Sequence, residues 1–199
     1  MKEVVCFFLK GREFGVDVSQ MKTIAHEVKL QPRESLPEFE KGIVDIHGEQ
    51  IPLVDIEQLL RIPDGNQRRE RRLVVFNSGC GSFAIESDGI SEIVSVEDRD
   101  VQGVPGFFDQ EQTNYADCVI KKKNNTLVLV MNPDRMLKPD QCTALKKVID
   151  EIEEERLEAE RQRREEERRR KEEEKRQREE EMERMKQEAL QGEKEEDDE

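Results

Sequence analysis

Apolar and polar residues alternate in short runs over the first two-thirds of the chain, the spacing of strands with one covered face. Val4 to Leu9 reads as a first strand and Phe14 to Val18 as a second, with Lys10-Gly11-Arg12-Glu13 turning between them as an N-terminal hairpin. Ser19 is positioned to cap a short helix that carries Met21 and Ile24 on one face. The polar segment to Pro37, interrupted by Pro32, is expected as a loop or extended connector. Gly42 to Ile56 is the densest stretch. Ile43, Val44 and Ile46 lie on one side of Gly48-Glu49-Gln50, and Ile51, Leu53, Val54 and Ile56 on the other. Gly48 supplies the positive φ of a hairpin turn. Pro52 suggests an edge position or a strand start. Asp55 is the expected N-cap of a short helix holding Ile56, Leu59 and Leu60.

Beyond it, Pro63-Asp64-Gly65-Asn66 reads as a turn and residues 67–72 as a charged loop. Leu73 to Phe76 and Ser82 to Ile85 form a strand pair around the turn Asn77 to Gly81, and Asp88-Gly89 precedes a strand with Ile90, Ile93, Val94 and Val96. Residues 98–114 are expected as an irregular loop. The last pair sets Cys118 to Ile120 against Leu127 to Met131, with Lys121 to Asn125 turning. Many short strands with glycine-rich turns imply small barrels or a sandwich.

From Pro139 the pattern changes. Leu145, Val148, Ile149 and Ile152 recur at helical spacing, so the first turns are expected to pack back on the globule. Glu160 to Glu181 contains no apolar residue and therefore no coiled-coil seam. Instead, Glu stands four residues before a base at Glu160–Arg164, Glu165–Arg169, Glu166–Arg170, Glu167–Lys171, Glu172–Arg176, Glu174–Arg178 and Glu180–Arg184. Each such pair contributes roughly 0.2–0.5 kcal/mol, which suits an isolated, solvated helix. Gly192 and the acidic end 193–199 are expected to fray.

Composition explains the split. The 199 residues are 41% charged and 34% hydrophobic, too thin for one globule. Residues 1–138 hold 23 acidic and 18 basic side chains and all the aromatic ones; residues 139–199 hold 25 acidic and 16 basic. The expected organisation is a domain over 1–138 and a charged helical tail over 139–199 with disordered last residues. The acidic balance argues against duplex nucleic acid or an anionic membrane as partner. No stretch suits a transmembrane helix, and the N-terminal apolar run is too short for a signal peptide. The scattered Cys6, Cys80, Cys118 and Cys142 are read as reduced, structural thiols of a cytosolic protein.

Candidate chemistry is sparse. His47 is either a partner contact or an exposed turn residue, and with only His26 for company no metal site is expected. Cys80, between Gly79 and Gly81, is a turn residue or an exposed thiol; no basic neighbour activates it. Asp45, Asp55 and Asp88 sit where carboxylates cap and turn rather than ligate. The basic clusters Arg68 to Arg72 and Lys121 to Lys123 read as solubilising loop charge. No nucleophile with its base, phosphate loop or paired acids occurs, so neither enzyme nor cofactor is expected.

Taken together, Phe14-Gly15-Val16-Asp17-Val18, Met21-Lys22-Thr23-Ile24, Gly42 to Ile56, Val74-Val75-Phe76, Asp88-Gly89-Ile90 and Leu127 to Leu137 stand in the order and spacing of one family. Residues 3–138 resemble the CheW-like domain of bacterial chemotaxis. The resemblance implies a mainly β fold of two small SH3-like five-stranded β-barrels, here with a long charged C-terminal α-helix. It implies a non-catalytic adaptor that links the cytoplasmic tip of a chemoreceptor to the regulatory domain of a CheA-type histidine kinase, and that also meets other CheW-like domains, at membrane-associated receptor arrays in the cytoplasm. The matching partner-binding positions are Met21, Thr23, Gly42, His47, Ile90 and Ile93. For Met21, Ile24, Ile90 and Ile93, core and groove both remain open. His47 stands where the family usually has Arg and Thr23 where it usually has Glu; imidazole does not reproduce the guanidinium fork. The alternative is a positioning protein that docks on an array through the domain and uses the tail as a spacer.

Overall fold

The computed structural model describes residues 2–26, 29–33, 36–63, 70–104 and 114–196, with side chains as far as Met185. Most of the expected turn and charged loop over 63–72, the middle of the 98–114 loop and the chain end at 197–199 lie outside the described residues, as do Arg68 and Arg69.

In chain order the strands are β1 (Lys2–Leu9), β2 (Arg12–Asp17), β3 (Met21–His26), β4 (Leu30–Gln31), β5 (Glu40–Ile46) and β6 (Glu49–Val54). They continue as β7 (Arg72–Ser78), β8 (Gly81–Ser87), β9 (Gly89–Val96), β10 (Val101–Gln102), β11 (Ala116–Lys121) and β12 (Leu127–Met131). The helices are α1 (Ile56–Leu59), α2 (Pro133–Met136) and α3 (Pro139–Glu196). One sheet runs β10-β11-β12-β2-β1-β9 and the other β3-β7-β8-β6-β5-β4. Each therefore has five longer strands and one two-residue edge strand. The first sheet draws on both ends of the domain and the second is built wholly from the segment between them.

Three ion pairs reach across non-neighbouring strands of the two sheets. Lys122, just past the end of β11, reaches Glu92 on β9 at 2.5 Å and Glu13 on β2 at 2.9 Å. Lys22 on β3 pairs with Glu49 at the start of β6. Both sheets curl towards closure in this way, as small barrels do. Lys122 is buried, which corrects its reading as loop charge. Burial opposes its charge, but its bonds to Glu92 and Glu13 outweigh that and raise its pKa.

Strand parity divides the core into three. Val4, Cys6, Val96, Ile120, Val128 and Val130 fill the first sheet. Val44, Ile46, Ile51, Leu53, Leu73, Val75 and Ala84 fill the second. The largest cluster joins them: Val5, Phe7, Leu9, Phe14 and Val16 meet Val74, Phe76, Phe83 and Ile85, with Phe76 packed edge-on against Phe83. β1 is thus buried on both faces, and its run of apolar residues needs no alternation.

Local chemistry explains the turns. Lys10 and Gly11 have φ of 47° and 71°, and His47 and Gly48 have 56° and 84°. These are two-residue hairpin turns whose twist matches the strands. Glu49 and Gln50 belong to β6 rather than to the turn. Pro52 lies inside β6, but just ahead of the two residues, Leu53 and Val54, that pair with β8, so no ladder bond to β8 is lost there. Asp45 accepts from Gly48 N–H at 2.8 Å, Asp55 caps α1 through Gln58 N–H at 3.1 Å, and Asp88 accepts from Gly11 N–H at 2.9 Å. All three carboxylates serve turns and caps.

The helix expected after Ser19 is absent. Val18–Gln20 forms a single 3-10 turn capped by Asp17, which accepts from the N–H and hydroxyl of Ser19. Met21 to His26 then alternate half-buried and exposed as an edge strand paired with β7. The capping carboxylate stands two residues before Ser19, and the β-branched Thr23 and Ile24 favour the strand.

Contacts divide the chain into two units, Met1–Glu151 and Ile152–Glu199. Within the first, Leu145 and Val148 on the opening turns of α3 are buried, with Ile149 packed on the largest core. Cys80 and Cys142 form a disulfide with Cα atoms 5.2 Å apart, which corrects the expectation of four reduced thiols. Cys6 and Cys118 are free. In the second unit every side chain from Arg161 to Met185 is exposed. Glu160–Arg164 and Glu167–Lys171 pair as expected. The bases also reach forward, in Arg168–Glu172, Arg170–Glu174, Lys175–Glu179 and Arg176–Glu180.

Candidate protein-binding site

The six positions expected to meet a partner fall on three elements. Met21 and Thr23 are half-buried on β3, at the edge of its sheet. His47 is exposed in the β5–β6 turn, held in the left-handed region next to Gly48. The Lys22–Glu49 ion pair ties β3 to the first residue of β6, next to the His47 turn.

Ile90 and Ile93 lie on β9, the edge strand of the other sheet. Residues three apart on a regular strand point to opposite faces. Here the β1–β9 register shifts between Val5 and Phe7, so that Ile93 stands opposite Val5 and Ile90 opposite Phe7. That bulge turns both isoleucines to the face shared with the largest core. Ile90 packs against that core and Ile93 is 64% exposed. Met21 packs against the same core from the second sheet. Met21, Ile90 and Ile93 therefore border the junction of the two sheets.

Gly42 is different. It is buried, and a Cβ there would lie 2.7 Å from Leu30 Cδ1 and 2.8 Å from the Gln31 carbonyl oxygen. Its role in the structure is to let β4 approach β5. Ile24 is partly exposed on the outer face of β3.

A cavity of about 230 Å³ opens in the first sheet, away from these six residues. Val4, Val96, Val101, Ile120 and Val130 form its apolar lining, with Lys2 and Asp17 among its polar groups. Among the described residues no set of His, Cys, Asp and Glu side chains is grouped to hold a metal. The free thiols are poor nucleophiles: burial pushes Cys6 up to about 11 and also raises Cys118. Among the described residues no helix is long and apolar enough to cross a membrane.

Three features escaped sequence reasoning. Lys122 is hidden in a run of three lysines. The Cys80–Cys142 bond spans 62 residues, and its one local signal is the pair of glycines that flank Cys80. Glu40 is buried at the start of β5, and neither carboxylate oxygen has a hydrogen-bond partner among the described residues. Burial pushes its pKa up to about 7, with Arg33 pulling the other way.

A family model described as CheW-like domain matches residues 3–141. The chemotaxis protein CheW of Rhizobium meliloti (strain 1021) is 22% identical over 129 residues, covering 65% of this chain and 83% of the relative. The CheW of Treponema pallidum (strain Nichols) is 20% identical over 132 residues, covering 64% and 78%. The crystal structure of the scaffolding protein TtCheW from Thermoanaerobacter tengcongensis superposes with a TM-score of 0.60 at 16% identity, over 70% of this chain and 90% of that one. The structural match shares the mainly β fold of paired sheets, and the family match spans both. The chain belongs to the CheW-like domain family.

Proposed function

We propose that this chain is a chemotaxis adaptor that couples chemoreceptors to a CheA-type histidine kinase within a signalling array. The adaptor module is residues 1–138. Its partner face comprises the edge strands β3 and β9 with the His47 turn, and Met21, Thr23, His47, Ile90 and Ile93 make the contacts; Gly42 lies on β5, where it lets β4 approach. The observation that carries this reading is the bulge in β9, which sets Ile90 and the exposed Ile93 on one face beside Met21 at the junction of the sheets. An apolar side chain at the centre of such a face is the kind of anchor that supplies most binding energy, and a groove between apolar edges suits a helix.

Calorimetry with the kinase regulatory domain and a receptor-tip fragment tests it. Ile93→Asp keeps the fold, since the side chain is solvent-facing, and weakens binding at least about tenfold, which corresponds to about 1.4 kcal/mol. Failure to bind kinase, receptor tip and other CheW-like domains alike would sink the reading.

The exposed helical unit supports a second role, that of a spacer between an array and an anchor. Truncation after Arg156 leaves the buried turns around Leu145 and Val148 in place. Loss of cellular localisation with kinase coupling intact favours the spacer; loss of coupling argues against it.

A further inference from the structure

The turn between β7 and β8 is built as a seat for α3. Gly79 N–H donates to Asp134 Oδ1 on α2 at 2.6 Å, and Cys80 is bonded to Cys142 on the first turns of α3. Over Gly81 sits Ile149: a Cβ at position 81 would come within 2.5 Å of Ile149 Cδ1. Residues Gly79, Cys80 and Gly81 thus all meet the C-terminal helices. Of these contacts, the sulfur–sulfur bond is the one that chemistry can open and close.

We propose that Cys80 and Cys142 are a reversible thiol–disulfide modification site that sets how tightly the opening turns of α3 are held to the sheets. Two observations point to reversibility. Cys142 is partly exposed whereas Cys80 is buried, so an external reagent meets Cys142 first. The domain also contains three apolar clusters, unlike the small disulfide-dependent domains that lack a sufficient core; the bond is an addition to a fold that stands on packing.

The oxidant is a peroxide. The Cys142 thiolate attacks a peroxide oxygen, an S–O bond forms as the O–O bond breaks, and the departing oxygen takes a proton to leave as water or an alcohol. Cys80 sulfur then attacks the resulting sulfenic acid, the S–S bond forms, the S–O bond breaks, and the Cys80 proton leaves with the hydroxyl as water. Two thiols and one peroxide give one disulfide, one water and one further water or alcohol. In reverse, a small dithiol attacks Cys142 sulfur, passes through a mixed disulfide, and leaves two protein thiols and its own cyclic disulfide.

The test uses the full chain and two readouts. Maleimide labelling under denaturation counts two free thiols after hydrogen peroxide and four after dithiothreitol, with Cys6 and Cys118 labelled in both. Hydrogen exchange of amides 143–151 quickens on the order of tenfold on reduction and slows again on reoxidation. Cys142→Ser exchanges at the reduced rate whatever the treatment. Four labelled thiols after peroxide overturn the proposal. So does a disulfide that opens and closes while exchange at 143–151 changes less than twofold.

Discussion

Glu40 carries a cost that depends on pH. Its carboxyl keeps its proton in the folded chain up to about pH 7, above its ordinary value of 4.5. Below pH 4.5 both states are protonated and the residue adds no pH dependence. Between pH 4.5 and 7 the unfolded chain releases its proton while the folded chain retains it, so stability falls as pH rises, by up to about 3 kcal/mol on the scale of 1.36 kcal/mol per unit. Glu40→Gln removes that slope and makes the protein more stable at pH 8 by about 1–3 kcal/mol. Urea unfolding at pH 5 and pH 8 measures it; a parallel loss in both proteins would refute the assignment. Lys122 is the counter-case, since its charge is matched by Glu13 and Glu92. Burial with no hydrogen-bond partner among the described residues and burial with ion-pair partners leave opposite signatures, and neither is visible in residue order.

At the scale of elements, the sequence was most legible where the signal is local. Hairpins announced themselves through Gly11 and Gly48, although the pattern extends each turn into the first residues of β2 and β6; α1 did so through its Asp55 cap, and Leu127–Met131 through its unbroken β-branched and apolar run. β3 was misread because Ser19, Met21 and Ile24 imitate a capped helical face, while the cap belongs to Asp17. β4 and β10 have two residues each and no pattern to read. The forward-reaching pairs of α3 follow from charge blocks that recur every seven residues, with Glu165–Glu167, Glu172–Glu174 and Glu179–Glu181 alternating with basic blocks. Each base then has an acid one turn away in both directions. Such exposed pairs are screened by salt. The helical signal at 222 nm contributed by residues 157–199, obtained by difference between the full chain and one ending at Arg156, should fall as sodium chloride rises from 10 mM to 1 M. A signal that holds constant would mean intrinsic propensity alone sustains the helix.

Over the whole molecule, the proposed partner face is legible by position only through family resemblance. Which isoleucines share a face depends on the β9 bulge, and a bulge leaves no mark in the sequence. The two sheets are joined by packing through β1, whose Phe7 is fully buried beside Phe76, with ring centroids 6.3 Å apart. Phe7→Ala should cost about 3–5 kcal/mol and leave one cooperative transition. Probes placed on β5 and β11 that melt at different denaturant concentrations would show that the sheets are independent.

The first sheet takes strands from positions 2–17 and 89–131 and the second from 21–87. A chain leaving the ribosome therefore presents its opening hairpin long before the hairpin's neighbours exist. That ribbon, greasy on both sides, must wait while the inner barrel is made and begins to shelter one side of it; the other stays bare until Met131 has emerged. Nascent copies on one polysome are most prone to stick together in that interval, and a chaperone that grips the N-terminal hairpin would be needed only then.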